Sequence, residues 1–526
     1  MGACCPFSFF LRSLKPVRVM PTIENFTAAM AAGYTFQGEA ISLGAPVFNG
    51  DCVPAAPVRI PLRTLNRHGL IAGATGTGKT KTLQVLAEQL SLNGVPTLLM
   101  DIKGDLSGIG APAVTNPKID ARQQKIGIPW EALNIPVEFL SLSKEPGAQM
   151  RATTSEFGPV LLSRILELND TQGSVLSLAF KYCDDNGLPL LDIKDLRRVL
   201  QFTTAEGKDE IQKQYGQVSG ATVSTIMRKL IELEQQGADT FFGERSFDTQ
   251  DLLNQRDGKG VVHIVRLTDI QDRPRLFSTF MLCLLAEIYG TFPEVGDADK
   301  PKLIIFIDEA HLIFDNATKP LLDQVESIIK LIRSKGVGIH FCTQDPSDVP
   351  ESVLGQLGLK VQHSLRAFTA KDRTTIKKTA QNYPLTDFYD TEEVITSMGI
   401  GEALVSALNE KGVPTPLAHT MVRAPGTRMD ILTPAELQAL VSASSLAAKY
   451  NEVIDRESAS EMLDKRLKEH QEIDQPSPAK PAKPKKEEPG MLENISKNTM
   501  VRQLGRTALR EITRGLLGVI GVKSRR

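Results

Sequence analysis

Eight consecutive residues, Gly73, Ala74, Thr75, Gly76, Thr77, Gly78, Lys79 and Thr80, have the types and spacing of a loop that wraps nucleotide phosphates. The glycines let successive backbone N–H groups turn inward around a β-phosphate. Lys79 brings a point charge to the β/γ oxygens, and the Thr80 hydroxyl is a ligand for Mg²⁺. The flanks suit the loop. His68 to Ala72 is an apolar run that predicts a strand entering it. Lys81, expected with Gly73–Thr80 to bind the nucleotide, opens a predicted helix to Leu92, with Leu83, Leu86, Ala87 and Leu90 at helical spacing and a positive N-terminus aimed at the phosphates. The expected ligand is a nucleoside triphosphate, ATP, with Mg²⁺.

A second run, Lys302 to His311, reads as a buried strand ending in Asp308 and Glu309. Such a strand delivers both acids to the sheet edge where the phosphate loop sits. Asp308 is then a metal-holding carboxylate, and Glu309 the group that polarises an attacking water. An acid next to the magnesium aspartate favours hydrolysis over binding alone. Gln344, at the tip of the predicted strand Gly338–Cys342, is placed either to sense the γ-phosphate or simply to cap a turn. Arg333, at the end of a predicted helix, is either a complement to the helix dipole or an arginine acting on a neighbouring subunit's nucleotide. Asp101, Lys103, Gly104 and Asp105 follow another predicted strand near the same edge and read as a polar turn.

These groups need a scaffold, and the pattern around them supplies one. From residue 68 to about 425, apolar strand-like runs alternate with helical periodicity, which predicts an α/β fold with a mostly parallel sheet covered by helices. The phosphate-loop core is expected at 67–149 and 251–425, interrupted by a helical insertion at 150–250 that is too long for a loop. Residues 24–66 read as a short lead-in with two or three small strands. A helical extension at 426–473, a Pro/Lys-rich linker at 474–490 and a basic amphipathic helix at 491–526 complete the chain. Residues 1–23 are expected to be disordered or to hold a mis-assigned start, the true one being Met20.

Composition excludes several classes. The 41% hydrophobic and 23% charged residues are those of a soluble globular protein. A net charge of −1 gives no global field for nucleic acid, so such a partner must meet a local patch. No run reaches the roughly 18 apolar residues of a transmembrane segment, so the expected location is cytoplasmic. Cys52, Cys183, Cys283 and Cys342 lie far apart and read as reduced, packed thiols.

The runs HGLIAGATGTGKT, LLMDIKGDL, LIIFIDEAHLIF, IIKLIRSKGVGIHFCTQDPSDVP and LKVQHSLRA occur in the order of the HerA–FtsK branch of P-loop ATPases. Over about residues 24–500 the chain resembles the bacterial HerA-like proteins of the YjgR type. The resemblance implies a RecA-like core with an extra strand between the phosphate-loop and Asp308 strands. It also implies a homohexameric ring with ATP at its interfaces, and a helicase or DNA translocase activity. It implies that Lys79 and Thr80 bind phosphate and Mg²⁺, that Asp308 coordinates Mg²⁺ and that Glu309 is the catalytic carboxylate. Gln344 then matches the sensor and Arg333 the trans-acting arginine, while Asp101, Arg67 and Arg366 match less distinctive positions. Archaeal HerA proteins grip a nuclease through an N-terminal β-barrel. Residues 1–66 are too few and too weakly patterned for one, which argues against a nuclease partner.

In the last segment Arg502, Arg506, Arg510 and Arg514 recur every four residues on one helical face. Eight Lys/Arg against two Asp/Glu give residues 491–526 a local charge of +6. A solvated face, a phosphate-backbone contact and an anionic membrane surface all fit that pattern. Two functional alternatives to a DNA motor also stay open from the residues alone. One is an ATPase that remodels protein or moves on another polymer; the other is a nucleotide-gated scaffold with little turnover.

Overall fold

The structure, a computed structural model, describes residues 21–473 apart from 272, 297, 315–318, 453 and 455. The expected start at Met20, the Pro/Lys-rich linker and the basic C-terminal helix lie outside the described residues. Seven parallel strands form the middle of one large sheet. In spatial order they are Val137–Ser141, Val262–Arg266, Thr97–Asp101, Leu303–Ile307, Val337–Thr343, Gly69–Ala72 and Leu359–Gln362. Leu303–Ile307 and Gly69–Ala72 are buried at every position, as expected for parallel strands covered on both faces. Val337–Thr343 lies between the phosphate-loop strand and the Asp308 strand, the extra strand expected from the resemblance.

Beyond Leu359–Gln362 the sheet turns antiparallel through Glu402–Ser406, Ala418–Val422 and Ala40–Phe48. The lead-in is therefore continuous with the core sheet, with Gly44 opposite Val422 and Pro46 opposite Thr420. It also holds a helix, Ile23–Gly33, where the sequence reading expects only small strands. Thr22 caps that helix by accepting the Asn25 N–H, and Phe26 and Met30, four residues apart, bury one face. Phe26 packs on Phe48, Phe388 and Tyr389, so long-range aromatic contacts fix a helix too short to stand on propensity.

Between residues 150 and 250 the chain forms successive helices, including Thr154–Ile165, Asp170–Asn186, Ile193–Phe202, Lys208–Tyr215 and Gly220–Leu233. Three of them start at reciprocal side-chain caps: Thr153 with Glu156, Asn169 with Gln172 and Asp192 with Asp195. After residue 426 the helices Pro434–Ser442, Ser445–Tyr450 and Ala459–Ile473 fold back on the sheet edge and on the helical block. No described helix is long and apolar enough to cross a membrane. The four described cysteines are free thiols, and burial pushes the Cys183 and Cys342 thiols up.

Candidate functional site

The phosphate loop is stitched to the strand on each side of its own. Gly73 N–H donates to Thr343 O at 3.3 Å and Ala74 N–H to Ser364 O at 2.9 Å. Gly73, Gly76 and Gly78 have φ of 151°, 79° and 116°, backbone that side-chain-bearing residues avoid. Gly73 is doubly constrained, because a Cβ there would lie 2.5 Å from the His363 Cβ. At Gly76 no atom lies within 4 Å of the same position, so the loop opens outward at that point.

Lys79 begins the helix Lys79–Leu92, and its buried Nζ donates to Gly73 O at 2.6 Å and Ala74 O at 3.1 Å. Burial lowers its pKa and neighbouring Lys103 adds to that, while Glu309 and Asp308 pull the other way. Thr80 Oγ1 donates to Asp105 Oδ2 at 3.2 Å. Lys81 points elsewhere: its ammonium donates to Met429 O, and it lies 3.4 Å from Gln84 Oε1. Thr75 Oγ1 donates to Gln344 Oε1 at 3.2 Å, and the Thr77 hydroxyl returns to Ala74 O at 2.7 Å.

Asp308 and Glu309 follow the Leu303–Ile307 strand and are both buried. Glu309 has φ of 48°, a left-handed backbone uncommon for a side-chain-bearing residue. The next N–H, of Ala310, donates to Cys342 O at 2.9 Å and anchors that turn. The Glu309 carboxylate pairs with Lys103 on one side and approaches His311 Nδ1 at 3.2 Å on the other. Burial, then the charge of Glu309, pushes the Asp308 carboxyl up to about 6. Asp101 accepts the N–H groups of Gly104 and Leu106, yet burial and neighbouring Asp105 push it up to about 7.

The structure thus brings Gly73–Thr80, Asp308, Glu309 and Gln344 to one edge of the sheet. Arg333 does not join them. It is exposed in the turn Arg333–Lys335, which precedes the seven-residue strand leading to Gln344. That strand is roughly 23 Å long at about 3.3 Å per residue, so Arg333 sits at the opposite end of the sheet. Arg67 likewise precedes its strand, and Arg366 is exposed just past Leu359–Gln362. Lys103 and Asp105, which the sequence alone places in a polar turn, join the site. Their signal is position: they follow a parallel strand that ends at the nucleotide edge, as Asp308 does. His363 carries the same signal, directly after the parallel strand Leu359–Gln362, and its ring meets Thr82 Oγ1 at 3.0 Å and Glu402 O at 2.8 Å.

His363 is one of four buried histidines held neutral. His68 Nδ1 accepts the Ile339 N–H at 3.0 Å, His340 Nε2 meets Leu65 O at 3.0 Å, and His263 is wholly buried in its strand. Burial lowers these rings to about 3 for His68 and His263 and about 4 for His340 and His363. The unfolded chain takes these protons near pH 6.5 and the fold refuses them, so stability is full above that pH and falls on acidification. Asp101, Asp308 and Glu88, whose pKa values burial raises, act in the opposite direction. At pH 5 each histidine has lost roughly 2 kcal/mol, which four of them carry past the carboxylates. The urea midpoint of the ligand-free protein is expected to be lower at pH 5 than at pH 7.5; an equal or higher midpoint at pH 5 contradicts the neutral assignment.

Comparison with known proteins adds to this geometry. Residues 49–525 match the family model described as helicase HerA-like C-terminal. The DNA double-strand break repair helicase HerA of Sulfolobus acidocaldarius is 21% identical over 354 residues, 66% of this chain and 64% of that protein. The chain therefore spans under two thirds of that relative's length. The protein of the same name from Saccharolobus solfataricus is 22% identical over 423 residues, covering 76% of this chain and 72% of its own. Among solved structures, the bacterial conjugative coupling protein TrwBdeltaN70 aligns with a TM-score of 0.49 at 13% identity, over 77% of this chain and 94% of that one.

Proposed function

The chain belongs to the helicase HerA-like C-terminal family, and from that premise we propose that it is an ATP-hydrolysing ring motor that translocates on DNA in the cytoplasm. One juxtaposition carries the reading. The phosphate loop with Lys79 and Thr80 shares a sheet edge with Asp308 and Glu309, with the single strand Val337–Thr343 between their two strands. A binding loop alone makes a nucleotide sensor; a buried carboxylate beside it makes a hydrolase.

The residues present fit magnesium and ATP. Lys79 now spends its ammonium on loop carbonyls, a contact that phosphate oxygens can take over. Asp105 Oδ1 is buried without a hydrogen-bond partner among the described residues, beside the Thr80 hydroxyl. Thr80 and Asp308 would hold the metal, which when bound neutralises phosphate charge. Lys79 binds the β/γ oxygens. Glu309 accepts a proton from the attacking water, and its pairing with Lys103 and His311 keeps the carboxylate oriented until then. Gln344, tied to Thr75 at the strand tip, orients that water or the γ-phosphate.

Arg333 lies a full strand length from its own Gln344, out of reach of its own subunit's nucleotide, and in the homohexameric ring of this reading it acts on the next subunit's. The names of the two HerA relatives support DNA as the track. Mixing Arg333→Ala with Lys79→Ala subunits tests the arrangement. Each variant alone is expected to be inactive, and mixed rings to recover partial ATPase activity, since some interfaces then pair an intact loop with an intact arginine. No recovery at any ratio contradicts the trans assignment.

A further inference from the structure

Lys103 stands in a turn whose backbone is fixed by its surroundings. The turn follows the strand Thr97–Asp101, whose Met100 lies opposite Ile307 in the neighbouring strand. Asp101, itself buried, accepts the Gly104 N–H at 2.8 Å and the Leu106 N–H at 3.4 Å. The Gln271 amide donates to Ile102 O at 2.5 Å. Gly104 has φ of 78°, and a Cβ there would lie 2.9 Å from Thr268 Cγ2, so the chain is closely packed on that flank. From this backbone the Lys103 side chain reaches the Glu309 carboxylate. The two partners differ in freedom: Lys103 keeps 40% of its side chain exposed and Glu309 only 6%.

Two features of this pair ask more of Lys103 than holding a base in place. An ammonium bound to a carboxylate favours its charged form, and so opposes the proton uptake given to Glu309. Lys103 also faces a second cation: burial lowers the Lys79 pKa, and the charge of Lys103 is the next largest cause. Two ammonium groups that close repel, and an anion between them relieves the repulsion. The phosphate oxygens assigned to Lys79 are such an anion. A lysine is suited to moving between partners, being a compact charge on a flexible four-carbon stem. We propose that Lys103 exchanges Glu309 for the γ-phosphate when ATP binds, which frees the carboxylate for the attacking water. The inference rests on the roles given above to Lys79 and Glu309, and adds a group that ties the base to the presence of the γ-phosphate. ADP lacks that phosphate and leaves the Lys103–Glu309 pair closed.

Calorimetric titration in Mg²⁺ with a non-hydrolysable ATP analogue, and separately with ADP, reads the exchange. Lys103→Met is expected to weaken the analogue about tenfold while ADP stays within about twofold. Lys103→Arg, which keeps the charge, is expected to restore part of the difference. The same selective loss is expected in a Glu309→Gln background, because the contact is with the phosphate and does not run through the carboxylate. ATP turnover by Lys103→Met is expected to fall about 100-fold. Lys103→Gln serves as the variant if Lys103→Met shifts the unfolding temperature. Equal losses for both nucleotides, no loss for either, or a turnover that rises overturns the exchange and leaves the phosphate loop standing. A selective loss that vanishes in the Glu309→Gln background makes Lys103 a positioning residue for the base alone and overturns the exchange as well. If the wild type binds neither nucleotide, the phosphate-loop reading itself falls, and the exchange with it.

Discussion

Replacing Glu309 by Gln is expected to cut ATP turnover by about 10²–10⁴-fold while ATP affinity stays within about threefold. The substitution keeps the shape of a buried side chain and removes only its capacity to take a proton. Its backbone, at φ of 48°, is set by the turn that Ala310 anchors to Cys342, so the amide should occupy the same place. Lys103 and His311 lose a charged partner, but Lys103 is partly exposed and water can replace the carboxylate there. Steady-state phosphate release paired with a binding titration reads both quantities. A variant that hydrolyses as fast as wild type removes Glu309 from the chemistry and favours a nucleotide-gated scaffold.

Lys79→Ala is expected to act on binding instead. Each hydrogen bond to a charged group is worth roughly 1.5–3 kcal/mol, so losing the ammonium from the phosphates should weaken ATP by about 10²–10³-fold. In the ligand-free fold the same ammonium holds Gly73 O and Ala74 O, which makes it a clasp for its own loop. Some loss of thermal stability is therefore expected alongside the loss of affinity. A variant that binds ATP like wild type, with its fold intact by circular dichroism, contradicts the role given to this loop.

The parts of the site visible in the sequence are those set by local chain geometry. Gly73, Gly76 and Gly78 are needed wherever the backbone must turn left-handed, and a lysine and threonine at the helix start follow directly. Asp308 and Glu309 stand out because five fully buried apolar residues precede them. What stayed hidden depends on contacts between distant segments. Lys103 and Asp105 gain meaning only when the Thr97–Asp101 and Leu303–Ile307 strands become neighbours. The closeness of His363 to Gly73 arises only when the Leu359–Gln362 and Gly69–Ala72 strands pair. The helix Ile23–Gly33 and the pairing of Ala40–Phe48 with Ala418–Val422 join residues almost four hundred positions apart, which no local periodicity encodes.

Hydrolysis at this site, if it drives movement on DNA, must respond to DNA. ATP hydrolysis by the purified chain is followed at fixed Mg²⁺ with and without double-stranded DNA, beside Glu309→Gln as the blank. A basal rate well above the blank is expected, with a several-fold rise when DNA is added, the rise weakening as salt is raised. A wild-type rate that DNA leaves unchanged at every salt concentration contradicts the translocase reading.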